Sequence, residues 1–270
     1  MICFPNAKIN LGLNIVSRRT DGYHNLETFF YPIGLRDALE IVPSGRKGDY
    51  RLFQTGVAIQ GDKDDNLVIK ALKLISEEKE IPGIDIHLFK KIPFGAGLGG
   101  GSSDAAFMLK LLNDTFSLGY TVPELEQKAA RIGADCPFFI KNKPALAKGI
   151  GNLLEEVELD LSGYFFVLVK PGISVSTKEA YAMVSPVAPE IPLGEIIKKP
   201  VSEWKGLLKN DFELPVYKKF PEICRIKEQL YARGAVYASM SGSGSSVYGF
   251  FEKETDIRFD NCWVWKNNEL

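Results

Sequence analysis

The sequence predicts an α+β fold with two lobes and a cleft between them. Three observations lead to this prediction. Segments of strand-like alternation occupy most of the first 54 residues, strands and helices mix from residue 66 onward, and a proline-rich stretch from Pro186 to Pro200 separates a second unit. We therefore predict an N-terminal domain over residues 1–160 and a C-terminal domain over residues 161–270.

Strands are predicted where apolar and polar residues alternate. Between Lys8 and Val16 the apolar residues fall on one face, and Lys8 and Asn10 lie side by side on the other. The spacing of the further runs favours a mostly antiparallel sheet. These runs cover residues 26–33, 38–43, 50–54 and 84–90, and a continuous apolar strand follows at 164–170.

Helices are predicted from helical spacing and from their end signals. One covers residues 66–79 with Asp65 as its cap, and another follows a glycine-rich loop near residue 101. Thr121 and Glu124 form a capping-box pattern for a helix over 122–132. The last helix, 222–233, ends at Gly234 and precedes a strand, a tight glycine turn and a second strand.

The composition describes an ordinary globular protein and limits its partners. With 33 basic and 34 acidic residues, the chain lacks the basic field that nucleic acid or an anionic membrane requires, so we expect neither partner. The four cysteines lack C-x-x-C spacing, which argues against a zinc site or a disulfide framework. No export signal or membrane-spanning run is present, so we expect a cytoplasmic protein. The sequence carries no signal for the oligomeric state, and a monomer or weak homodimer is our expectation.

A glycine-rich loop is the strongest indication of a ligand site. PFGAGLGGGSSDAA, at positions 93–106, joins a predicted strand to a predicted helix. Its glycines let backbone N–H groups approach a ligand, and these groups, the positive helix end and two hydroxyls suit a polyphosphate. The candidate phosphate-binding residues are Pro93, Phe94, Gly95, Ala96, Gly97, Leu98, Gly99, Gly100, Gly101, Ser102 and Ser103.

Two other phosphate motifs are weighed against this loop. Gly95, Gly97 and Gly100 satisfy G-x-G-x-x-G, but a dinucleotide site also needs a strand ending in an acidic residue about 20 positions later. TVPELE stands there and begins a helix. A Walker A motif is excluded because no Gly-Lys-Ser/Thr ending follows. A merely flexible loop remains the alternative.

The loop resembles the phosphate-binding motif of GHMP kinases, P-x-G-x-G-L-G-G-G-S-S. PNAKINLGL (5–13) and SGSGSSVYGFF (241–251) resemble that family's N-terminal and C-terminal motifs in order and position. The resemblance covers nearly the whole chain. It implies an ATP-binding N-terminal domain related to ribosomal protein S5 domain 2, a ferredoxin-like C-terminal domain, and ATP with Mg²⁺ as cofactors. No metal ligands are assigned.

An acid and a lysine are the candidate catalytic residues. Phosphoryl transfer to an alcohol needs an oriented hydroxyl, often a base, and nearby positive charge. Asp135 lies in an apolar stretch, GADCPFF, where capping a turn near Pro137 is equally compatible with its position. Lys8, taken by itself, is more often a solvated strand lysine. The resemblance implies that Lys8 and Asp135 are the catalytic pair.

Aromatic residues after a turn indicate what the substrate carries. Tyr23 and His24 follow an Asp-Gly turn, where packing of the turn is the alternative role. D-G-Y-H is similar to the cytidine-binding segment of one GHMP subfamily, which phosphorylates a cytidine-diphosphate-linked polyol. A second stacking aromatic is implied at Tyr181, after a P-G-x-x-x-x-T motif that ends at Thr177.

The resemblance implies further contacts and also has departures. Asn66 and Lys90 match positions near the adenine, and Asn10, Ser241 and Gly242 match substrate-binding positions. Asp104 stands where the subfamily often has Asn, and Ser241 stands where Thr is common. The tail from Phe251 to Leu270 is short for the usual final helix and strand. The short tail leaves the structure of the C-terminal edge unpredicted.

The leading hypothesis is an ATP-dependent kinase for a hydroxyl of the cytidine-linked polyol. A GHMP kinase for another small alcohol, of the mevalonate or homoserine class, is the first alternative. Tyr23, His24 and Tyr181 argue against it because a substrate without a base has no use for an aromatic clamp. The second alternative is a catalytically silent nucleotide-binding sensor. Lys8 and Asp135 argue against that one.

Overall fold

The computed structural model describes residues 1–45, 48–58 and 65–267. The strands of this part are β1 Ile2–Cys3, β2 Asn6–Arg18, β3 His24–Arg36, β4 Ala38–Pro43, β5 Tyr50–Gly56, β6 Ile84–Lys90, β7 Ala145–Lys148, β8 Leu153–Glu156, β9 Phe165–Pro171, β10 Tyr237–Met240, β11 Val247–Phe251 and β12 Cys262–Asn267. The helices are α1 Leu67–Ser76, α2 Gly100–Thr115, α3 Val122–Ile132, α4 Phe138–Lys141, α5 Thr177–Met183, α6 Leu193–Ile196, α7 Glu213–Lys219 and α8 Pro221–Ala232. A 3-10 turn covers Val201–Glu203.

The chain divides into two compact units, each made of separate segments. Unit 1 contains Met1–Ala7, Leu35–Phe94 and Gly99–Lys143. Unit 2 contains Lys8–Gly34, Gly95–Leu98 and Pro144–Leu270. The sequence predicts contiguous domains that meet near residue 160. In the structure, the N-terminal segment Lys8–Gly34 instead groups with the C-terminal half of the chain.

Unit 1 is built on a four-stranded sheet in the order β1-β4-β6-β5. β4 is antiparallel to β6, whereas β5 is parallel to β6. Alternate residues of β6 are buried, as the alternation of Ile84, Ile86 and Leu88 predicts. The apolar faces of α1 and α2 pack together and supply the rest of the core.

Unit 2 contains two four-stranded sheets. The first sheet has the strand order β2-β3-β7-β8, and most residues of β2 and β3 belong to this unit. The second sheet has the order β10-β11-β9-β12. β9 is buried on both faces, which explains its continuous apolar run. Phe165 and Val167 pack in a core with residues of α7 and α8. On the other face, Phe166 contacts the rings of Tyr248 and Trp265.

Several predicted elements have the predicted bounds. Strands 38–43 and 84–90 and helix 122–132 coincide with β4, β6 and α3. The capping box is present, because Glu124 accepts hydrogen bonds from both the backbone N–H and the hydroxyl of Thr121, each at 2.7 Å. These predictions depend on local periodicity and end signals, which the chain satisfies.

Two predictions need correction, and one element that the sequence left open is defined by the structure. Asp65 is not the cap of α1, because the side chain of Asn66 accepts the hydrogen bond from the Val68 N–H at 2.9 Å. The polar face of β2 is buried as well as its apolar face, from Asn6 to Ile15. The C-terminal tail forms β12, which pairs with β9 and thereby completes the second sheet. Residues 268–270 of that predicted tail lie outside the described residues.

Each helix within residues 1–45, 48–58 and 65–267 is too short or too polar to cross a membrane.

Candidate active site

Polar side chains of β2 form a buried row in unit 2. The Lys8 ammonium group donates to Asn10 Oδ1 at 2.6 Å and lies 4.6 Å from the centre of the Phe30 ring. Lys8 is 4% exposed and Asn10 is 3% exposed. The predicted adjacency of these two residues is confirmed. A buried ammonium group needs partners. Asn10 and the Phe30 ring are partners of the Lys8 ammonium group inside this unit.

Asn10 is held at several of its polar atoms. Its Nδ2 donates to Thr28 Oγ1 at 3.0 Å, and its backbone N–H donates to Ser241 Oγ at 3.2 Å. The Tyr248 hydroxyl donates to the Asn10 carbonyl at 2.8 Å. Asn10 therefore connects β2 with β3 and with the SGSGSS turn, residues 241–246.

Part of the glycine-rich loop is anchored in the same unit. The Lys8 N–H donates to Leu98 O at 3.0 Å, and Ser241 Oγ donates to Gly97 O at 2.8 Å. Gly97 has a φ of 75°, and a Cβ there would lie 2.0 Å from the Ser241 carbonyl oxygen. Only glycine fits this close approach of two backbones. The structure thus brings Gly97, Leu98, Lys8, Asn10 and Ser241 together.

The SGSGSS turn is stabilised by a buried asparagine that sequence analysis missed. Asn210 Nδ2 donates to Met240 O and to Gly242 O, both at 2.9 Å. Its Oδ1 accepts from the Phe212 N–H at 3.0 Å. An asparagine far from the turn in sequence carries no local signal of this role. It makes the turn that contains Ser241 and Gly242 a defined structure.

The predicted aromatic residues are partly brought together. The His24 and Tyr181 rings are stacked, with centroids 5.1 Å apart and an interplanar angle of 21°. The Tyr181 ring also meets Phe212 edge to face at 4.9 Å. Tyr23 is 63% exposed, and its N–H donates to Asp21 Oδ1 at 3.1 Å. The exposed Tyr23 ring and the His24 ring, which stacks on Tyr181, therefore stand on adjacent residues of the D-G-Y-H segment.

The segment that leads into α5 is held against the SGSGSS turn. Thr177 Oγ1 lies 3.1 Å from Ser243 Oγ. Ser245 Oγ donates to the carbonyl oxygen of Ile173, which also accepts from Lys170 Nζ at 2.8 Å. Lys170 was not singled out in the sequence. These contacts position Thr177 and the helix that carries Tyr181.

The rest of the glycine-rich loop belongs to unit 1 and begins α2. Gly99 is the N-cap with a φ of 67°, and Gly100 to Ser103 form the first turn. The Ser103 hydroxyl is buried without a hydrogen-bond partner. Burial raises the pKa of the neighbouring Cys136 thiol to about 12, which the Ser102 hydroxyl partly offsets. The cysteine is therefore a neutral thiol beside this helix end.

Asp135 lies in a turn of unit 1 between α3 and α4. The turn is closed by a hydrogen bond from the Cys136 N–H to Gly133 O at 3.1 Å. Asp135 is half-buried, whereas Cys136 is fully buried. Lys8 belongs to unit 2 and Asp135 to unit 1. Their joint action on one hydroxyl stays a prediction.

Lys90, which the resemblance places near the adenine, is buried between two acidic side chains of unit 1. Its side chain is 3% exposed, and its ammonium group forms ion pairs with Asp37 and, at 2.6 Å, with Asp104. Asp37 also accepts the N–H groups of Lys91 and Ile92. This Asp37–Lys90–Asp104 triad joins β6 to α2. Asn66, the other predicted adenine contact, caps α1, and its Nδ2 lies 3.4 Å from Gln54 Oε1.

The triad carries two carboxylates for one ammonium group. Burial raises the pKa of Asp104 to about 8; Lys90 opposes this rise and Asp37 adds to it. The second oxygen of Asp104 has no hydrogen-bond partner. Asp37 was missed because a single aspartate before a strand has no distinctive pattern. Asp104 was noticed only as a departure from a family motif.

Two family models match separate parts of the chain. Residues 66–143 match the GHMP kinases N terminal domain, and residues 193–259 match the GHMP kinases C terminal domain. The chain belongs to the GHMP kinase family, and it is an ATP-dependent small-molecule kinase.

The more specific likeness is to one kind of kinase within that family. A 4-diphosphocytidyl-2-C-methyl-D-erythritol kinase of Parabacteroides distasonis is 58% identical, over 98% of each chain. One of Bacteroides fragilis is 57% identical over 95% of this chain and 94% of its own. A crystal structure of 4-(cytidine 5'-diphospho)-2C-methyl-D-erythritol kinase is 35% identical, with a TM-score of 0.78 over 93% of this chain and 90% of that chain.

Proposed function

We propose that this protein transfers the γ-phosphoryl group of ATP to the 2-hydroxyl of 4-diphosphocytidyl-2-C-methyl-D-erythritol, a step of the non-mevalonate isoprenoid pathway. The observation that carries the proposal is the stacked His24–Tyr181 pair beside the exposed Tyr23. A nucleobase is the kind of ligand that such rings bind. The relatives that are 57–58% identical bear the name of this kinase.

The cytosine base is assigned to the aromatic residues. Tyr23 offers an exposed ring for stacking, while His24 is held by Tyr181 and presents its ring nitrogens to the polar edge of the base. Stacking on an aromatic side chain is worth about 1–3 kcal/mol per base. Thr177 and the SGSGSS turn are assigned to the rest of the substrate. Discrimination against alcohols without a base then follows from lost stacking.

The ATP phosphates are assigned to the glycine-rich loop and the first turn of α2. The backbone N–H groups there suit an anion, and the helix end adds positive potential. Mg²⁺ would neutralise charge on the phosphates during transfer. The Ser103 hydroxyl fits such an ion, because it is a hard oxygen ligand that is buried without a partner. Mg²⁺ usually takes few protein ligands and uses the phosphates for the others.

Asp135 is assigned the role of general base. It accepts the proton of the substrate hydroxyl as that oxygen forms a bond to the γ-phosphorus and the bond from the γ-phosphorus to the bridging oxygen of ADP breaks. Lys8 is assigned the role of stabilising the negative charge of the moving phosphoryl group, because Asn10 holds its ammonium group in place.

The alternatives account for fewer observations. A kinase of the mevalonate or homoserine class would not need the stacked rings or the exposed Tyr23. A silent sensor would not need a buried, oriented Lys8. The names of the similar proteins also favour the cytidine-linked substrate.

The proposal is tested by ADP release with ATP and a panel of alcohols. The panel contains the cytidine-linked compound, the same polyol without the nucleotide, mevalonate and homoserine. We expect ADP release only with the cytidine-linked compound. Turnover of mevalonate or homoserine would favour another kinase of the family, and no turnover with any alcohol would favour the sensor.

A further inference from the structure

Thr28 is a buried threonine of β3 with hydrogen bonds in two directions. It is 0% exposed. Its Oγ1 accepts from Asn10 Nδ2 at 3.0 Å and donates to the carbonyl oxygen of Gly12. We propose that Thr28 is a positioning residue for phosphoryl transfer, because it determines which end of the Asn10 amide faces Lys8. The inference rests on the proposed function of the same site.

The direction of these hydrogen bonds follows from the Gly12 carbonyl. A backbone carbonyl oxygen only accepts, so it takes the single hydroxyl hydrogen of Thr28. The Thr28 oxygen is then left as an acceptor, and Asn10 must turn its NH₂ group toward it. The amide oxygen of Asn10 is thereby directed at the Lys8 ammonium group, 2.6 Å away. The flipped amide would place N–H donors against an ammonium group.

The surroundings leave few other ways to orient Asn10. Lys8 and Asn10 are at least 95% buried, so water does not readily replace a lost partner. The backbone of Asn10 is fixed by Ser241 Oγ and by the Tyr248 hydroxyl. Only the side-chain amide can still rotate, and Thr28 fixes it. The Asn10 amide oxygen is therefore held in a defined direction toward the Lys8 ammonium group, and precise transfer needs such fixed positions.

The first variant is Thr28→Val, which keeps the shape of the side chain and removes the hydroxyl. Asn10 then loses its fixed orientation. We expect kcat to fall about 10- to 100-fold, with the KM values for ATP and for the alcohol within about 2-fold of wild type. Thr28→Ser keeps the hydroxyl and should retain kcat within about 3-fold. Thr55→Val, at an exposed position of β5, is the matched control and should leave kcat unchanged.

A double-mutant cycle separates this role from a general loss of packing. In the Asn10→Ala background, Thr28→Val should cause no further loss of kcat, because the residue through which Thr28 acts is gone. If the two losses multiply, Thr28 acts by another route and the inference is overturned. A Thr28→Val enzyme with wild-type kcat overturns it as well.

Circular dichroism shows whether each variant is folded. Should Thr28→Val fail to fold, Thr28→Cys replaces it, because a thiol keeps the size and hydrogen-bonds weakly. A clear loss of kcat in Thr28→Cys supports the inference, and a wild-type kcat contradicts it. The wild-type rate with the cytidine-linked alcohol tests the proposed function separately. A wild type that does not turn over this alcohol refutes the substrate, whereas an active wild type with an equally active Thr28→Val refutes only the role of Thr28.

Discussion

Replacing Lys90 by methionine is expected to destabilise unit 1 strongly. The ammonium group of Lys90 is the counterion of two carboxylates, Asp37 and Asp104, and all three side chains are at most 3% exposed. Methionine keeps much of the side-chain volume and removes the charge. The variant therefore leaves two buried carboxyl groups without their cation.

The loss in free energy of unfolding can be estimated from the burial of the triad. Removing one partner of a buried ion pair typically costs about 3–5 kcal/mol, because the remaining charge is left in a poorly polarisable interior. Whole proteins are stable by only about 5–15 kcal/mol. For a chain of this size, such a loss lowers the thermal midpoint by roughly 10 °C. The destabilisation should be smaller below about pH 8, where the carboxyl group of Asp104 is protonated, than above it.

The assay is thermal unfolding followed by far-ultraviolet circular dichroism. Lys70→Met is the matched control, because Lys70 is a 45% exposed lysine of α1 whose ammonium group lies 3.3 Å from the exposed Asp65. Surface pairs of this kind contribute about 0–1 kcal/mol. Adding Asp104→Asn to Lys90→Met should recover part of the loss. Equal midpoints for Lys90→Met and Lys70→Met would refute the reasoning.

Three further predictions concern the same sites. Burial raises the pKa of Asp104 from 3.8 to about 8 in the folded protein, so wild-type stability falls as pH rises through that range. Asp104→Asn lacks this loss, and its midpoint relative to wild type should be higher at about pH 9 than at about pH 5; a constant difference would contradict the raised pKa. Asp135→Asn should keep nucleotide binding in calorimetry and lose about 100- to 10,000-fold in turnover, since it removes the base; near-normal ADP release would exclude that role. Tyr23→Ala should raise the KM for the cytidine substrate about 5- to 100-fold, the equivalent of one lost stacking contact, without changing the KM for ATP. An unchanged cytidine KM would remove Tyr23 from the site.

The parts of the fold that were predictable depend on short-range patterns. Three such patterns involve only residues close together in sequence: the capping box at Thr121, the alternation of β6 and the glycine density between Gly95 and Gly101. The parallel pairing of β5 with β6 is not, because α1 lies between the two strands and alternation is the same for either direction. The grouping of Lys8–Gly34 with the C-terminal half depends on contacts between residues far apart in the chain, which no local pattern indicates.

In the candidate site as well, some contacts follow from local sequence and others do not. Lys8 and Asn10 are two residues apart on one strand, so their adjacency follows from the period of a strand. Asp37, Thr28 and Asn210 have hydrogen-bond partners 16 to 55 positions away in the chain. Their residue types are ordinary for a turn or a strand. Only the tertiary structure shows that each satisfies a buried polar group on which the site depends.

The position of the transferred phosphate tests the central claim most directly. After reaction with ATP, the product of the cytidine-linked alcohol is examined by proton-coupled phosphorus NMR. The carbon that bears the 2-hydroxyl also bears the methyl group and carries no hydrogen, so phosphorylation there should give a phosphomonoester singlet and one equivalent of ADP. A doublet or triplet would place the phosphate on the 3- or 1-hydroxyl, and inorganic phosphate alone would mean hydrolysis. Either result would contradict the proposed reaction.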